Sequence, residues 1–388
     1  MIELFDRQIG REALAAYGGE TGQVLGIELL THADGPARGV RVLHARTGSG
    51  FSFRVAVDRG FDLVSAEYRG VPVGWQSPVG IQNPALHAPE HEAGLGFLRS
   101  FTGLLATCGL DHFGGVDSGG SEHFINPHRK SMGYPLHGRA SQIPARLLGY
   151  GVDWGAGTVW CEGLVRQAAL FGEFLELARR IEAPLGGRTI VIRDVVTNRG
   201  FRPTPHMLLY HFNFGYPLLD EDAELLVPTR EVAWTSHEPR AQGVGFRRQV
   251  GPRTDFVEQV YQHVVSADAS GRVPAALVNR RLGPDGVGVA VEFDHTELPC
   301  LLEWQCLQSG VYALGIEPCT HNVAGRHIAE ERAETIWLEH GDTRAYAIEL
   351  SVLAGAGDLD ALAGRIAGIQ PPIEEMIEPT GRWPRLRD

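Results

Sequence analysis

The chain has little basic charge and none of it in blocks: 35 lysine and arginine residues face 47 aspartates and glutamates, for a formal charge of -12. Tracking a phosphate backbone takes a basic stripe, so nucleic acid is not an expected partner. Methionine is scarce at four residues. No apolar run approaches the ~18 residues of a membrane helix, and no membrane span is expected. The amino-terminal text "MIELFDRQIGREALAAYGG" lacks the apolar stretch of a secretory signal, so the expected location is cytoplasmic. Five cysteines, Cys108, Cys161, Cys300, Cys306 and Cys319, are odd in number, scattered, and without a Cys-x-x-Cys pair. They exclude a disulfide framework or a zinc knuckle and read as reduced, structural thiols.

What is there suits a folded, turn-rich protein: 43% hydrophobic residues, 49 glycines and 23 prolines in 388 residues. Strand signals dominate. In "FSFRVAVD", Phe51, Phe53, Val55 and Val57 share one face and Ser52, Arg54, Ala56 and Asp58 the other, the pattern of a half-buried antiparallel strand. "GRTIVIRDVVTNRG", "HMLLYHFNF", "GVGVAVEF", "SGVYALGIEP" and "DTRAYAIELSVL" read the same way. Helical spacing is confined mainly to the ends, as in "DLDALAGRIAGI". Strand-helix alternation is lacking, so the expected fold is all-β, a large antiparallel β-sandwich with short peripheral helices. With no linker-like stretch or repeat, residues 1–388 are expected to form one domain. The stretch from Ser77 to Gln142 is strand-poor and long enough to suggest a functional loop.

Period two also sorts the chemistry. In "VYALGIEP", Val311, Ala313, Gly315 and Glu317 share a face of small residues, opposite Tyr312, Leu314 and Ile316. A carboxylate there has room beside it. In "MLLYHFNFG", His211 and Asn213 lie on the face of Met207 and Leu209, opposite Leu208, Tyr210, Phe212 and Phe214. "YPLHGRASQIPA" adds His137, followed by a glycine that lets a ligand or another chain approach the backbone. The loop histidines His112, His123 and His128, with His137 beyond, raise a metal site as an alternative, but their spacing fits no compact ligand motif and no metal or other cofactor is expected.

Taken in order, His137-Gly138, "YHFNFGYPLL" and "GIEPCTHN" resemble the aldose 1-epimerase (galactose mutarotase-like) superfamily, in a divergent domain-of-unknown-function branch. The likeness extends to "DRGFDL", "GFLRSFTGLL", "TCGLD" and "VTNRG" and spans about Gly50 to Leu350. It implies the galactose mutarotase-like supersandwich and an isomerase acting on a sugar. By the same resemblance Glu317 is a general base, His211 a general acid and His137 a second histidine against the sugar, with Arg99 as a gripping arginine. Two departures bear on which sugar: Cys319 stands where the family has Gln after Glu-Pro, and "YHFNF" replaces "NHxYFNL".

Opening a cyclic hemiacetal needs a base for the anomeric hydroxyl and an acid for the ring oxygen, roles that a carboxylate and a histidine fill at neutral pH. The expectation is an ionised Glu317 beside a proton-bearing His211. Further candidates for a sugar pocket are Arg59, Asp62, Arg139, Trp75, Trp304, Gln305 and His321. The competing readings are an isomerase or lyase acting on an oxidised or keto sugar, where Glu317 takes a carbon-bound proton, and a non-catalytic sugar-binding module. A homodimer is admitted as the assembly.

Overall fold

The computed structural model of the protein describes residues 2–4, 7–125, 128, 130–236, 242–322 and 325–373. Antiparallel strands build it, as the alternating text requires. One sheet has eight strands, in the order Arg146–Asp153, Thr158–Ala168, Phe174–Pro184, Thr189–Asn198, Thr343–Ala354, Val287–Asp294, Arg272–Asn279 and Glu224–Leu226. A second runs Thr229–Ser236, Gln259–Val265, Cys300–Cys306, Ala313–Cys319, Thr204–Phe214 and Ile336–Leu338, with Leu105–Leu110 as a seventh strand paired to Thr204–Phe214. A third, of five strands, covers residues 26–72.

These three sheets share one core. Phe51, Phe53 and Val55 of the five-stranded sheet, Leu177, Ile181 and Ile192 of the eight-stranded sheet, and Leu208, Tyr210, Phe212, Leu314 and Ile316 of the seven-stranded sheet all belong to one buried cluster. The opposite face of the seven-stranded sheet has a core of its own. There Met207, Leu209, Ala313, Cys319, Cys300 and Leu302 pack beneath Trp75, Phe97, Phe101 and Phe113. The face assignments read from "HMLLYHFNF" and "VYALGIEP" hold residue by residue.

The stretch from Ser77 to Gln142 is less strand-poor than its text. Leu105–Leu110, "LATCGL", is fully buried and pairs with Thr204–Phe214, and Asp117–Gly120 pairs with Ser131–Tyr134. The first was missed because its one β-branched residue, together with Ala and Gly, gives a weak strand signal. The helix Ala356–Ile369 buries Leu359, Leu362 and Ile366, the spacing expected of it. Among the described residues no helix is long and apolar enough to cross a membrane. All five cysteines are buried and free.

Candidate functional site

Register brings the acid and the histidine together. Leu209 pairs with Cys319 and Phe212 with Ile316, which sets His211 across from Glu317 on the outward face of the seven-stranded sheet. Their side chains approach to 3.1 Å, His211 Nε2 to Glu317 Oε1, and each is nearly sealed from solvent. Around this contact His211 Nδ1, His137 Nδ1, Asn213 Oδ1 and Gln262 Oε1 are buried without a hydrogen-bond partner. Gln262 is in the same row, opposite Leu302, which in turn faces Glu317. Buried polar groups are normally satisfied, so a cluster of orphaned atoms on one face marks a place built for a polar guest.

Gly315 explains how the carboxylate fits. A Cβ there would meet Glu317 Oε1 at 2.5 Å, Trp304 Cβ at 3.0 Å and His211 Cε1 at 3.2 Å. The space expected beside the carboxylate is thus taken by the carboxylate itself. Aromatic rings close the site: Phe101 and Trp304 stand 4.8 and 5.4 Å from the His211 ring, and Trp75 lies 5.3 Å from Phe101. The Trp304 indole N–H donates to Glu258 Oε2 at 2.9 Å, which fixes the ring over the sheet.

His137 arrives on a turn. Its backbone (φ +59) and that of Gly138 (φ +75) are left-handed, and a Cβ on Gly138 would lie 2.3 Å from the His112 carbonyl oxygen and 2.4 Å from that of Gly109. The close approach foreseen at this glycine is by the chain's own backbone. The His137 ring then sits 5.5 Å from His211 and 5.0 Å from Phe97.

Burial governs the proton affinities here. It raises Glu317 to about 8, aided by the Glu258 carboxylate, and it depresses His211 well below the ordinary histidine value, with His137 adding to the effect. His137 falls to about 3, again mainly through burial. Both directions favour carboxylic acid beside neutral imidazole at neutral pH, where carboxylate and imidazolium were expected. The proton count is the same in both, and one transfer across 3.1 Å interconverts them.

The other sequence candidates separate by face. Trp304 is at the pair and Trp75 packs against it. Asp62 is on the core side: it accepts from the Thr107 N–H at 2.9 Å and hydroxyl at 2.5 Å and pairs with Arg179 at 2.6 Å. Arg59 is buried beside Asp62. Gln305 alternates with Trp304 and so points inward, donating to Gly245 O and Gln249 Oε1. His321 is occupied at both nitrogens, by the Thr320 hydroxyl and the Glu334 carbonyl. Arg99 is exposed and bound to Glu92 at 2.6 Å. Arg139 pairs with Glu90 at 2.7 Å and lines a different cavity. Local periodicity could not place Asp62 or Arg139 relative to Glu317, because their partners are distant in sequence. The cap residues Phe97 and Phe101, and Gln262 and Glu258, went unread; the pair of aromatics in "FLRSF" was the available signal, while "EQVYQH" shows no alternation of polar and apolar residues.

The loop histidines do not converge. His112 Nε2 meets the Gly115 carbonyl, His123 packs on Phe124 and Trp337, and His128 on Phe171. Among the described residues no three His, Cys, Asp or Glu side chains gather as metal ligands.

This architecture is that of known proteins. A putative aldose 1-epimerase from Klebsiella pneumoniae subsp. pneumoniae MGH 78578 superposes with a TM-score of 0.79 at 27% identity, covering 89% of this chain and 87% of that one. A galactose mutarotase-like protein from Clostridium acetobutylicum (TM-score 0.56, 14% identity, 85% of this chain and 99% of that one) shares the fold. So does galactose 1-epimerase from Lactobacillus acidophilus NCFM (TM-score 0.51, 11% identity, 85% and 99%). None of the curated proteins matches the chain. The fold is the galactose mutarotase-like β-sandwich, and over residues 37–352 the chain belongs to the family described as a domain of unknown function (DUF4432).

Proposed function

We propose that the protein is a carbohydrate isomerase of the aldose 1-epimerase type, which interconverts the anomers of a sugar through Glu317 and His211. The observation that carries this reading is a buried carboxyl-imidazole pair at 3.1 Å whose imidazole Nδ1 lacks a hydrogen-bond partner. Mutarotation needs one group to take the proton of the anomeric hydroxyl while another delivers a proton to the ring oxygen. A pair holding one transferable proton and one vacant lone pair supplies both. The C1–O5 bond breaks as the C1 carbonyl forms, the aldehyde turns about C1–C2, and ring closure on the other face returns the protons. The pair ends with the proton count it began with.

His137 serves as a second polar contact against the sugar, Asn213 and Gln262 accept from its hydroxyls, and the half-buried face of Trp304 packs on its C–H surface. The 27% identity to the Klebsiella protein over most of both chains supports the same class of reaction. Saturation-transfer NMR on a panel of free aldoses tests it. Anomer exchange should be accelerated by the wild-type chain and fall by about a hundredfold or more in Glu317→Gln; unchanged exchange in that variant would sink the assignment.

A further inference from the structure

Arg139, read from sequence as a substrate contact, lies instead on a separate polar cavity of about 420 Å3. The cavity is framed by the turn Ala140–Gln142, the end of the strand Thr158–Ala168 and the residue preceding Phe174–Pro184. Four atoms of its wall are buried without hydrogen-bond partners: Arg139 Nη1, which has only the Asp111 carboxylate at 3.8 Å, Gln142 Nε2, Gln142 Oε1 and Glu173 Oε2. Gln142 and Glu173 are themselves 7% and 4% exposed, so neither amide nor carboxyl can turn to bulk water for relief. Leaving such groups unpaired costs about 1–3 kcal/mol each. Their setting is otherwise well braced, since Gln167 donates to Asp111 Oδ1 at 2.7 Å and accepts from the Leu110 N–H at 2.9 Å.

The inventory of vacant atoms selects the guest. Arg139 Nη1 and Gln142 Nε2 donate; Gln142 Oε1 and Glu173 Oε2 accept. Two adjacent hydroxyl groups offer two donors and two acceptors and answer all four. A phosphate or carboxylate only accepts, and would leave the two acceptors bare beside Glu173 and Asp111. The nearby cations are already engaged, Arg139 by Glu90 at 2.7 Å and Arg166 by Glu176 at 3.2 Å. Burial and the Asp111 carboxylate raise the Glu173 carboxyl, the sign of a field that repels a further anion. A volume of about 420 Å3 corresponds to roughly 14 waters at ~30 Å3 each, room for a six-membered ring and part of its hydration.

From these observations we infer a second ligand site, between Arg139, Gln142 and Glu173, that takes a neutral polyol of monosaccharide size through a vicinal diol. It stands apart from Glu317 and does not depend on turnover there. Crystals of the full chain soaked in myo-inositol, which has no anomeric carbon, test it together with NMR titration of the same compound and of D-glucose and D-glucuronate. The expected result is a polyol ring against Gln142 and Glu173 in the wild type and equally in Glu317→Gln. Gln142→Leu should weaken it by about tenfold or more while anomer exchange stays at the wild-type rate. Should Gln142→Leu fail to fold, Glu173→Leu, which removes the acceptor, must show the same loss. Water alone in the cavity with both neutral polyols, undiminished binding in the folded variants, or preference for glucuronate would overturn the inference.

Discussion

Glu317 is held where a carboxylate is least comfortable, and that has a measurable sign. In the unfolded chain it ionises near its ordinary 4.5, whereas the folded site keeps the proton up to about 8. Between those values the unfolded state has released a proton that the folded state retains, so stability falls as pH rises through that window. At pH 7 the loss reaches about 3 kcal/mol at 1.36 kcal/mol per unit. Thermal melts should therefore find Glu317→Gln more stable than wild type at pH 7, by up to about 3 kcal/mol, and equal to it near pH 4. A variant less stable at both values would show that the carboxyl braces the fold instead. Its neighbour gives a second handle. Gly315→Ala places a Cβ 2.5 Å from Glu317 Oε1, so the carboxyl must move off His211. A displacement of about 1 Å costs on the order of a hundredfold in rate, with a fall in stability of about 1–3 kcal/mol from overpacking; steady-state exchange kinetics and melts on one preparation separate the two effects.

At the scale of elements, the strand Thr204–Phe214 divides its eleven buried residues between core and site. That division was legible because a strand has a period of two whatever it packs against. What the strand packs against was not legible. Asp62 looked free for a sugar until Arg179, 117 residues away, reached it across the core. Gln305 shares Trp304's strand but not its face. The cap was equally hidden, since nothing local says that Phe101 packs on a histidine contributed by a strand more than a hundred residues later. Phe101 packs on the His211 ring that Glu317 meets, and burial holds Glu317 up. With the cap intact, kcat/KM should decline as pH rises past about 8, where the pair loses its proton. Phe101→Ala admits water to the carboxyl and should move this alkaline limb to lower pH. An unmoved limb would mean that burial from another element sets the value.

For the molecule as a whole, the three large sheets share a core, and a buried network fixes the site sheet to its partner. Arg179 bridges Asp62 and Asp194 at 2.6 Å each, and the Tyr210 hydroxyl donates to Asp194 from the strand that carries His211 on its other face. A site one residue thick is thereby mounted on a braced sheet, with hydrophobic core behind it and aromatic rings before it. Strand pairing on this scale was foreseeable in kind but not in order, because "LATCGL" and the long loop carried no strong strand signal. The account rests on Glu317 and His211 exchanging oxygen-bound protons of a sugar. The direct measurement is exchange between the anomers of a C1-labelled aldose in D2O, followed by NMR with wild type, Glu317→Gln and His211→Asn. Rapid interconversion at C1 is expected of the wild type, with its loss in both variants and no deuterium at any carbon. Deuterium entering a C–H bond, or interconversion that survives in Glu317→Gln, would contradict it.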